Sequence, residues 1–289
     1  MRRREYWMLL APSLVVMIGL LALPLVRTLQ WSLQRVTYGT PGEYVGLSNY
    51  TQALTDERFL RSVGFTVGLT LSVFVVVVIG GYVLAIAVND LRKSRPLVLG
   101  ILLVSYVIPQ VIGATMFGWL FDRNFGGIVN FLVRETLGWS VLWYTDVWPN
   151  RVLLALAVIW GMLPFAMLVI MAGLQGISKE MMEAARVDGA SKPQIHWHVI
   201  IPSLRGVLGF VSLIVIMDVL RVFDQLIPLS PQAVQIGNES VMLYIYNMAF
   251  RDGGQQLGLG SAINLLLIVI IFVLLIPFIR DVAKEGSRR

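Results

Sequence analysis

The 289-residue chain is predicted to be an all-α integral membrane protein with six transmembrane helices in one domain, 1–289. Three observations predict it. Hydrophobic residues make up 57% of the chain and charged residues only 14%, against the roughly 25% that a soluble domain needs to clothe its surface. Long stretches lack Asp, Glu, Lys and Arg altogether. The basic residues gather at alternate ends of those stretches, as the positive-inside rule requires.

A helix needs about 20 apolar residues to cross the hydrocarbon core. Uninterrupted stretches run from Ser62 to Asn89, Pro96 to Phe121, Val152 to Ser178 and Gly253 to Ile279. An earlier apolar run, Tyr6 to Val26, follows Arg2, Arg3 and Arg4, which also fits the charged start of a secretory signal. The run exceeds a signal's usual length of about 7–15 residues and no small-residue cleavage site follows it, so a retained anchor is expected. A further span, Gly206 to Pro228, is interrupted by Asp218, Arg221 and Asp224. The spans are therefore placed at about 6–29, 62–89, 96–121, 152–176, 206–228 and 257–279.

Orientation follows from the basic residues. With both termini in the cytoplasm, the inside segments hold Arg2, Arg3, Arg4, Arg92, Lys93, Arg95, Lys179, Arg186, Lys192, Arg205, Arg280, Lys284, Arg288 and Arg289. These are fourteen of the 23 Lys and Arg residues and include every lysine. The net charge of +6 then belongs to cytoplasmic loops rather than to a nucleic-acid surface, since no basic patch interleaves with aromatics. With no cysteine, disulfides, thiolate metal sites and a thiol nucleophile are excluded.

The loop 178–202 is the most informative segment. Ser178 is placed to cap one short helix, and Gly189 suits the left-handed residue that ends it. Ser191 is placed to cap a second, with Pro193 in its first turn where no hydrogen bond is lost, and Pro202 stops the pattern before the next span. A compact helix–turn–helix on the cytoplasmic face results.

Glu183-Ala184-Ala185, Asp188, Gly189, Ala190 and Val199-Ile200-Ile201-Pro202 stand at the spacing of a known signature. Here the chain resembles the permease subunits of binding-protein-dependent ABC importers. Tyr44-Val-Gly-Leu-Ser-Asn-Tyr50, Arg221-Val-Phe-Asp224 and Tyr244-Ile-Tyr-Asn-Met-Ala-Phe250 look like the carbohydrate branch of that family, of the maltose and glycerol-phosphate type. The branch usually carries Thr-x-Gly-Gly-Pro after the fifth span, where this chain has Leu229-Ser230-Pro231-Gln232.

The resemblance implies the transmembrane-domain architecture of a type I ABC importer in a bacterial inner membrane. It implies a second homologous permease, a different chain by the branch's habit, with two ATPase subunits and an extracytoplasmic solute-binding protein. ATP and Mg would sit on the ATPase, and no cofactor on this chain. In that family the helix pair inserts into a groove on the ATPase, which makes Glu183, Ala184, Ala185, Asp188, Gly189 and Pro202 the coupling residues. The same residues also read as a plain amphipathic connector, since Ala and Glu favour any surface helix. The implied solute is a neutral disaccharide, oligosaccharide or sugar alcohol, with glycerol phosphate as the alternative.

Ionisable residues inside a span by default face a wet cavity or a partner. Asp218, Arg221 and Asp224, three apart, are expected along one helix face where they can pair. That face reads equally as a hydrogen-bonding wall for the solute and as a self-neutralising structural cluster. By resemblance to maltose-type permeases, Val215, Asp218, Val219 and Val222 line the path. Trp160 and Met162, near Pro164 and Phe165, form a second candidate wall, because aromatic rings stack on sugar faces. Pro109, Gln110 and Gly113 in the third span are further candidates, and packing is the competing role for all of these.

No Gly-x-x-x-x-Gly-Lys-Ser/Thr loop occurs, so ATP hydrolysis must reside in another chain. His196 and His198, two apart, point to different helix faces and do not suggest a metal site. Neither Gly-x-Ser-x-Gly nor His-Glu-x-x-His is present. A stand-alone secondary transporter is the competing class, but no internal repeat with paired broken spans is visible. A purely structural membrane scaffold would leave the coupling loop and the Arg221 cluster without purpose.

Overall fold

A computed structural model describes residues 3–38, 40, 42–91, 93–251 and 255–286. Arg2, Arg92, Gly253, Arg288 and Arg289, used above for spans and orientation, lie outside the described residues. The fold is helical apart from one small hairpin.

Helix α1 (Arg3–Met17) passes through a π segment, Ile18–Ala22, into α2 (Leu23–Ser32). The widened turn has a local cause. Pro24 has no N–H to give and its ring crowds the carbonyl four residues back, so the Leu23 N–H reaches back to Ile18 O instead. Strands β1 (Gln34–Arg35) and β2 (Glu43–Tyr44) pair antiparallel, with Gln34 opposite Tyr44 and Arg35 opposite Glu43. Helix α3 (Ser48–Thr55) leads to α4 (Glu57–Asn89), whose first turn is capped by the Asp56 carboxylate accepting from the N–H groups of Arg58 (2.7 Å) and Phe59 (3.4 Å).

Helices α5 (Arg95–Val107) and α6 (Gln110–Phe121) meet at 105°. The expected single helix over 96–121 is thus a bent pair. Pro109 is the cause, because the residue before a proline is pushed out of the helical region, and Ile108 is extended at ψ 132°. After α7 (Ile128–Leu137) comes α8 (Val147–Gln175), which contains Pro164 and continues unbroken. The loop 178–202 holds α9 (Lys179–Val187) and α10 (Lys192–Ile195), then a π segment, His196–Ile200, and α11 (Ile201–Ser203). Pro202 stands two residues beyond that π segment as Pro24 does beyond the first, and the Ile201 N–H again reaches back five residues, to His196 O. The chain then bends by 71° into α12 (Arg205–Leu220).

Helix α12 ends at Leu220, with Arg221 as its cap, and α13 (Leu226–Leu229) and α14 (Ala233–Ile236) follow. This corrects the sequence reading of 206–228. Asp224 stands in the turn beyond the helix, so it does not stack with Asp218 and Arg221 on one helix face. Among the described residues no ion pair joins Arg221 to either aspartate. Helix α15 (Val241–Tyr246), a π segment Asn247–Arg251 and α16 (Leu257–Gly286) complete the chain.

Among the described residues, four helices are long and apolar enough to cross a bilayer alone: Leu10–Ser32, Glu57–Asn89, Val147–Gln175 and Leu257–Ile276. The two bent pairs bring the number to six. The first span buries none of its apolar window within the chain, so lipid or a partner must cover it.

Contacts divide the chain into two compact units, 1–61 with 241–270, and 62–240 with 271–289. In the first, buried Asn49 donates to Ser32 O and Gln34 O at 2.9 Å, and the fully buried Tyr244 donates its hydroxyl to Asp56 at 2.5 Å. Gly258 must be glycine there, since a Cβ would run into the Gln34 carbonyl oxygen. In the second, Ile216 and Leu220 of α12 and Leu275 of α16 centre an apolar cluster with Phe74 and Phe278.

Candidate solute cavity and coupling loop

The 105° bend between α5 and α6 leaves backbone and side chains of the third span facing α8 and the end of α12, and a cavity of about 130 Å³ lies between them. One wall is aromatic. Tyr106 stacks on Phe165 with ring centres 5.8 Å apart, and Trp160 lies over Gly113, where an added Cβ would come within 3.2 Å of the indole. Polar side chains, Gln110, Asp218, Arg221 and Gln225, line the cavity as well. The Gln225 amide nitrogen donates to Gln110 Oε1 at 3.2 Å, while its own Oε1 is buried with no partner among the described residues. An unpaired buried acceptor is unfavourable and marks a place for a hydroxyl or a water to donate.

The sequence candidates divide here. Trp160, Met162, Asp218, Arg221 and Val222 line the cavity, as do Gln110 and Gly113. Val215 and Val219 do not; they are 0% and 1% exposed on the neighbouring stripe of α12. Helical geometry gives the reason, since Ile214 and Asp218, four apart, share the cavity stripe and Val215 and Val219 are rotated away by one position. Asp224, exposed in the turn, is also off the cavity. Gln225, Tyr106 and Ser105 were not singled out in the sequence. Ser105 and Tyr106 carry no signal there, because no local pattern marks which face of α5 packs on α8.

Beyond the cavity, the N-terminal end of α8 is tied by a buried polar hub. Asn150, 0% exposed, donates to Leu229 O at 2.8 Å and Trp143 O at 3.1 Å, and accepts from Ser230 Oγ at 2.8 Å and Asn238 Nδ2 at 3.1 Å. Arg151 Nε donates to Asn238 Oδ1 at 2.8 Å and lies over the Trp148 ring. The Leu229-Ser230-Pro231-Gln232 stretch, where the sequence departs from the expected glycine-rich pattern, is therefore anchored on α8. Pro231 also borders an open cleft of about 660 Å³ with Trp119, Asp122, Arg123 and Trp143. Nearby, Tyr144 donates to Gly118 O at 2.8 Å, and burial first, then the Asp122 charge, push its phenol above the ordinary range.

The loop 178–202 has the opposite character. Ser178 Oγ accepts from the Met181 N–H at 3.4 Å. Gly189, at φ +81°, closes α9, with its N–H on Arg186 O and the Ala190 N–H on Ala185 O. Gln194 Oε1 accepts from the Ser191 N–H at 2.8 Å. Glu183, Ala184, Asp188 and Gly189 are exposed, Ala185 and Pro202 half-buried. Val187 and Trp197 are 87% and 68% exposed. Small, apolar and charged groups thus stand outward together on a capped helix pair.

Residues 77–286 match the family described as the binding-protein-dependent transport system inner membrane component. The chain is 32% identical to the inner membrane ABC transporter permease protein YcjO of Escherichia coli (strain K12), over 97% of this chain and 95% of the relative. It is 28% identical to the trehalose transport system permease protein SugA of Mycobacterium tuberculosis (strain ATCC 25618 / H37Rv), over 96% and 88%. Its fold matches a chain of a bacterial ABC transporter involved in the import of the acidic polysaccharide alginate, with a TM-score of 0.85 at 20% identity, covering 98% of this chain and 96% of that one. The protein belongs to the family of binding-protein-dependent transport system inner membrane components. It is a multi-pass membrane permease.

Proposed function

We propose that the chain is one of two permease subunits of an ATP-driven importer that carries a neutral disaccharide, oligosaccharide or sugar alcohol into the cytoplasm. The observation that carries this reading is the exposed, doubly capped helix pair bearing Glu183-Ala184-Ala185 and Gly189 inside the family-matched region. The pair docks on a separate ATPase, which binds ATP and Mg; both termini face the cytoplasm. A second, homologous permease and an extracytoplasmic solute-binding protein complete the assembly.

The sugar class is supported by the cavity, where stacked rings and amide and carboxylate acceptors line one space, as apolar and hydroxyl-bearing sugar faces require. Relatives named for trehalose and for alpha-glucoside transport agree with it. A volume of about 130 Å³ is below the roughly 300 Å³ at which small-molecule sites begin, so the partner permease supplies the remaining wall.

The test is uptake of labelled trehalose, maltose and glycerol phosphate by proteoliposomes holding this chain with its co-encoded permease and ATPase, with and without the binding protein. Uptake of a sugar that requires ATP and binding protein is expected. Uptake by this chain alone on an ion gradient would replace the importer with a secondary transporter.

A further inference from the structure

Helix α4 meets the coupling loop through a side-chain bond that the family signature does not include. The Tyr82 hydroxyl lies 2.7 Å from His196 Nδ1, and the two rings meet edge to face with centres 6.0 Å apart. Either group can donate, according to the imidazole tautomer. Both side chains are half-buried. His196 opens the π segment that follows α10, so it sits where a push on the helix pair enters the membrane-spanning part of the chain.

The residues beside Tyr82 continue the contact. Gly80 and Gly81 face α8, where a Cβ on Gly81 would come within 2.9 Å of Ala166 Cβ and one on Gly80 within 3.1 Å of Leu163 Cδ1. Two glycines let the backbones of α4 and α8 approach as closely as small residues allow, so α4 and α8 pack in direct contact here. Leu163 and Ala166 are interleaved along α8 with Trp160, Met162 and Phe165, which line the cavity.

We propose that the Tyr82–His196 bond is a positioning link that carries movement of the coupling helices through α4 to the cavity wall on α8. This rests on the importer reading above. Tyr82 and His196 touch neither solute nor nucleotide; they hold α4 in register with the loop so that the ATPase state decides the shape of the cavity.

The chain contains no cysteine, so Met162→Cys makes a unique reporter on the cavity wall. The assembled complex, isolated through a tag on the ATPase so that only folded molecules are counted, is labelled with a fluorescent maleimide without nucleotide and with ATP–vanadate. The readout is the labelling rate on this chain. With Tyr82 and His196 intact, nucleotide is expected to change the rate about tenfold. Tyr82→Phe and His196→Phe, which keep the rings and remove the bond, are expected to reduce that change to about twofold, the loss of one hydrogen bond's bias. The double variant should do no worse than either single one, and His196→Asn, which offers an amide oxygen near the Nδ1 position, should retain most of the change. A full nucleotide response in Tyr82→Phe, or losses that add in the double variant, would overturn the link while leaving the importer reading in place. No nucleotide response in the Met162→Cys parent would overturn both.

Discussion

The two ends of α8 are built on opposite principles. At its N-terminal end Asn150 is fully buried and spends its donors and acceptor on four partners, so the loop 229–238 is held by bonds that have no alternative. Past its C-terminal end the loop 178–202 is capped and ordered internally but exposes Glu183, Ala184, Val187 and Trp197 to whatever approaches. A buried polar group left unpaired is costly, so the first arrangement resists change. An exposed helix pair with satisfied ends can move as a body, which is what the proposed coupling to an ATPase requires. Buried polar bonds are concentrated at one end of the helix and exposed side chains past the other.

Substitutions at the two ends should therefore fail differently. The largest effect is expected for Gly189→Glu, which places a side chain at φ +81° and a charge on the docking face. ATP-driven uptake should fall by well over tenfold, because the added carboxylate and longer side chain stand on the exposed face where Gly189 leaves room. The thermal midpoint of the purified chain should move by only a few degrees, since the left-handed conformation costs a non-glycine residue about 1–2 kcal/mol. Asn150→Ala should do the reverse. By stranding the Ser230 hydroxyl, the Asn238 amide and two carbonyls, it should lower stability in detergent by about 2–4 kcal/mol, while the surviving folded molecules transport at nearly the normal rate. If Gly189→Glu instead unfolded the protein, or Asn150→Ala left its midpoint unchanged, the division between the two ends would be wrong.

Smaller effects sharpen the account of the cavity. Gln225→Ala and Asp218→Ala should each raise the KM for the transported sugar about three- to tenfold, the range of one lost hydrogen bond, whereas Val219→Ala should act on stability alone because Val219 is buried off the cavity.

The smallest effect concerns Asp56. Burial raises its pKa, but the hydrogen bond from Tyr244, the N–H groups of Arg58 and Phe59 and the Arg58 charge outweigh that and hold the carboxyl below the ordinary aspartate range. A depressed folded pKa means that the stabilisation is present above the unfolded value of about 3.9 and is lost as pH falls through the folded one. Unfolding midpoints measured between about pH 2 and 6 should drop at the acid end, and Tyr244→Phe should flatten that drop.

How much of this was legible in the sequence depends on the range of the interactions. The spans were visible because a bilayer imposes about 20 apolar residues on any helix that crosses it. The helix pair of loop 178–202 was visible because caps and a left-handed glycine act within four residues, and Ser178, Gly189 and Ser191 sit at those spacings. The bend at Pro109 was less legible, since a proline interrupts some helices and not others: Pro164 lies inside a continuous α8. The early end of α12 at Leu220 carried no local breaker at all, and for that reason the stacking of Asp218, Arg221 and Asp224 did not hold. Gln225 and three of the four Asn150 bonds depend on partners 79 to 115 residues away, which no local pattern announces.

The central claim is that the exposed helix pair is the face on which the ATPase acts. Because the chain is free of cysteine, Val187→Cys and Phe125→Cys each carry a single photo-crosslinker, at positions 87% and 79% exposed. Illumination of the assembled complex should join the ATPase to the chain labelled at 187 and not to the chain labelled at 125. Capture from 125, or from neither position, would contradict the claim.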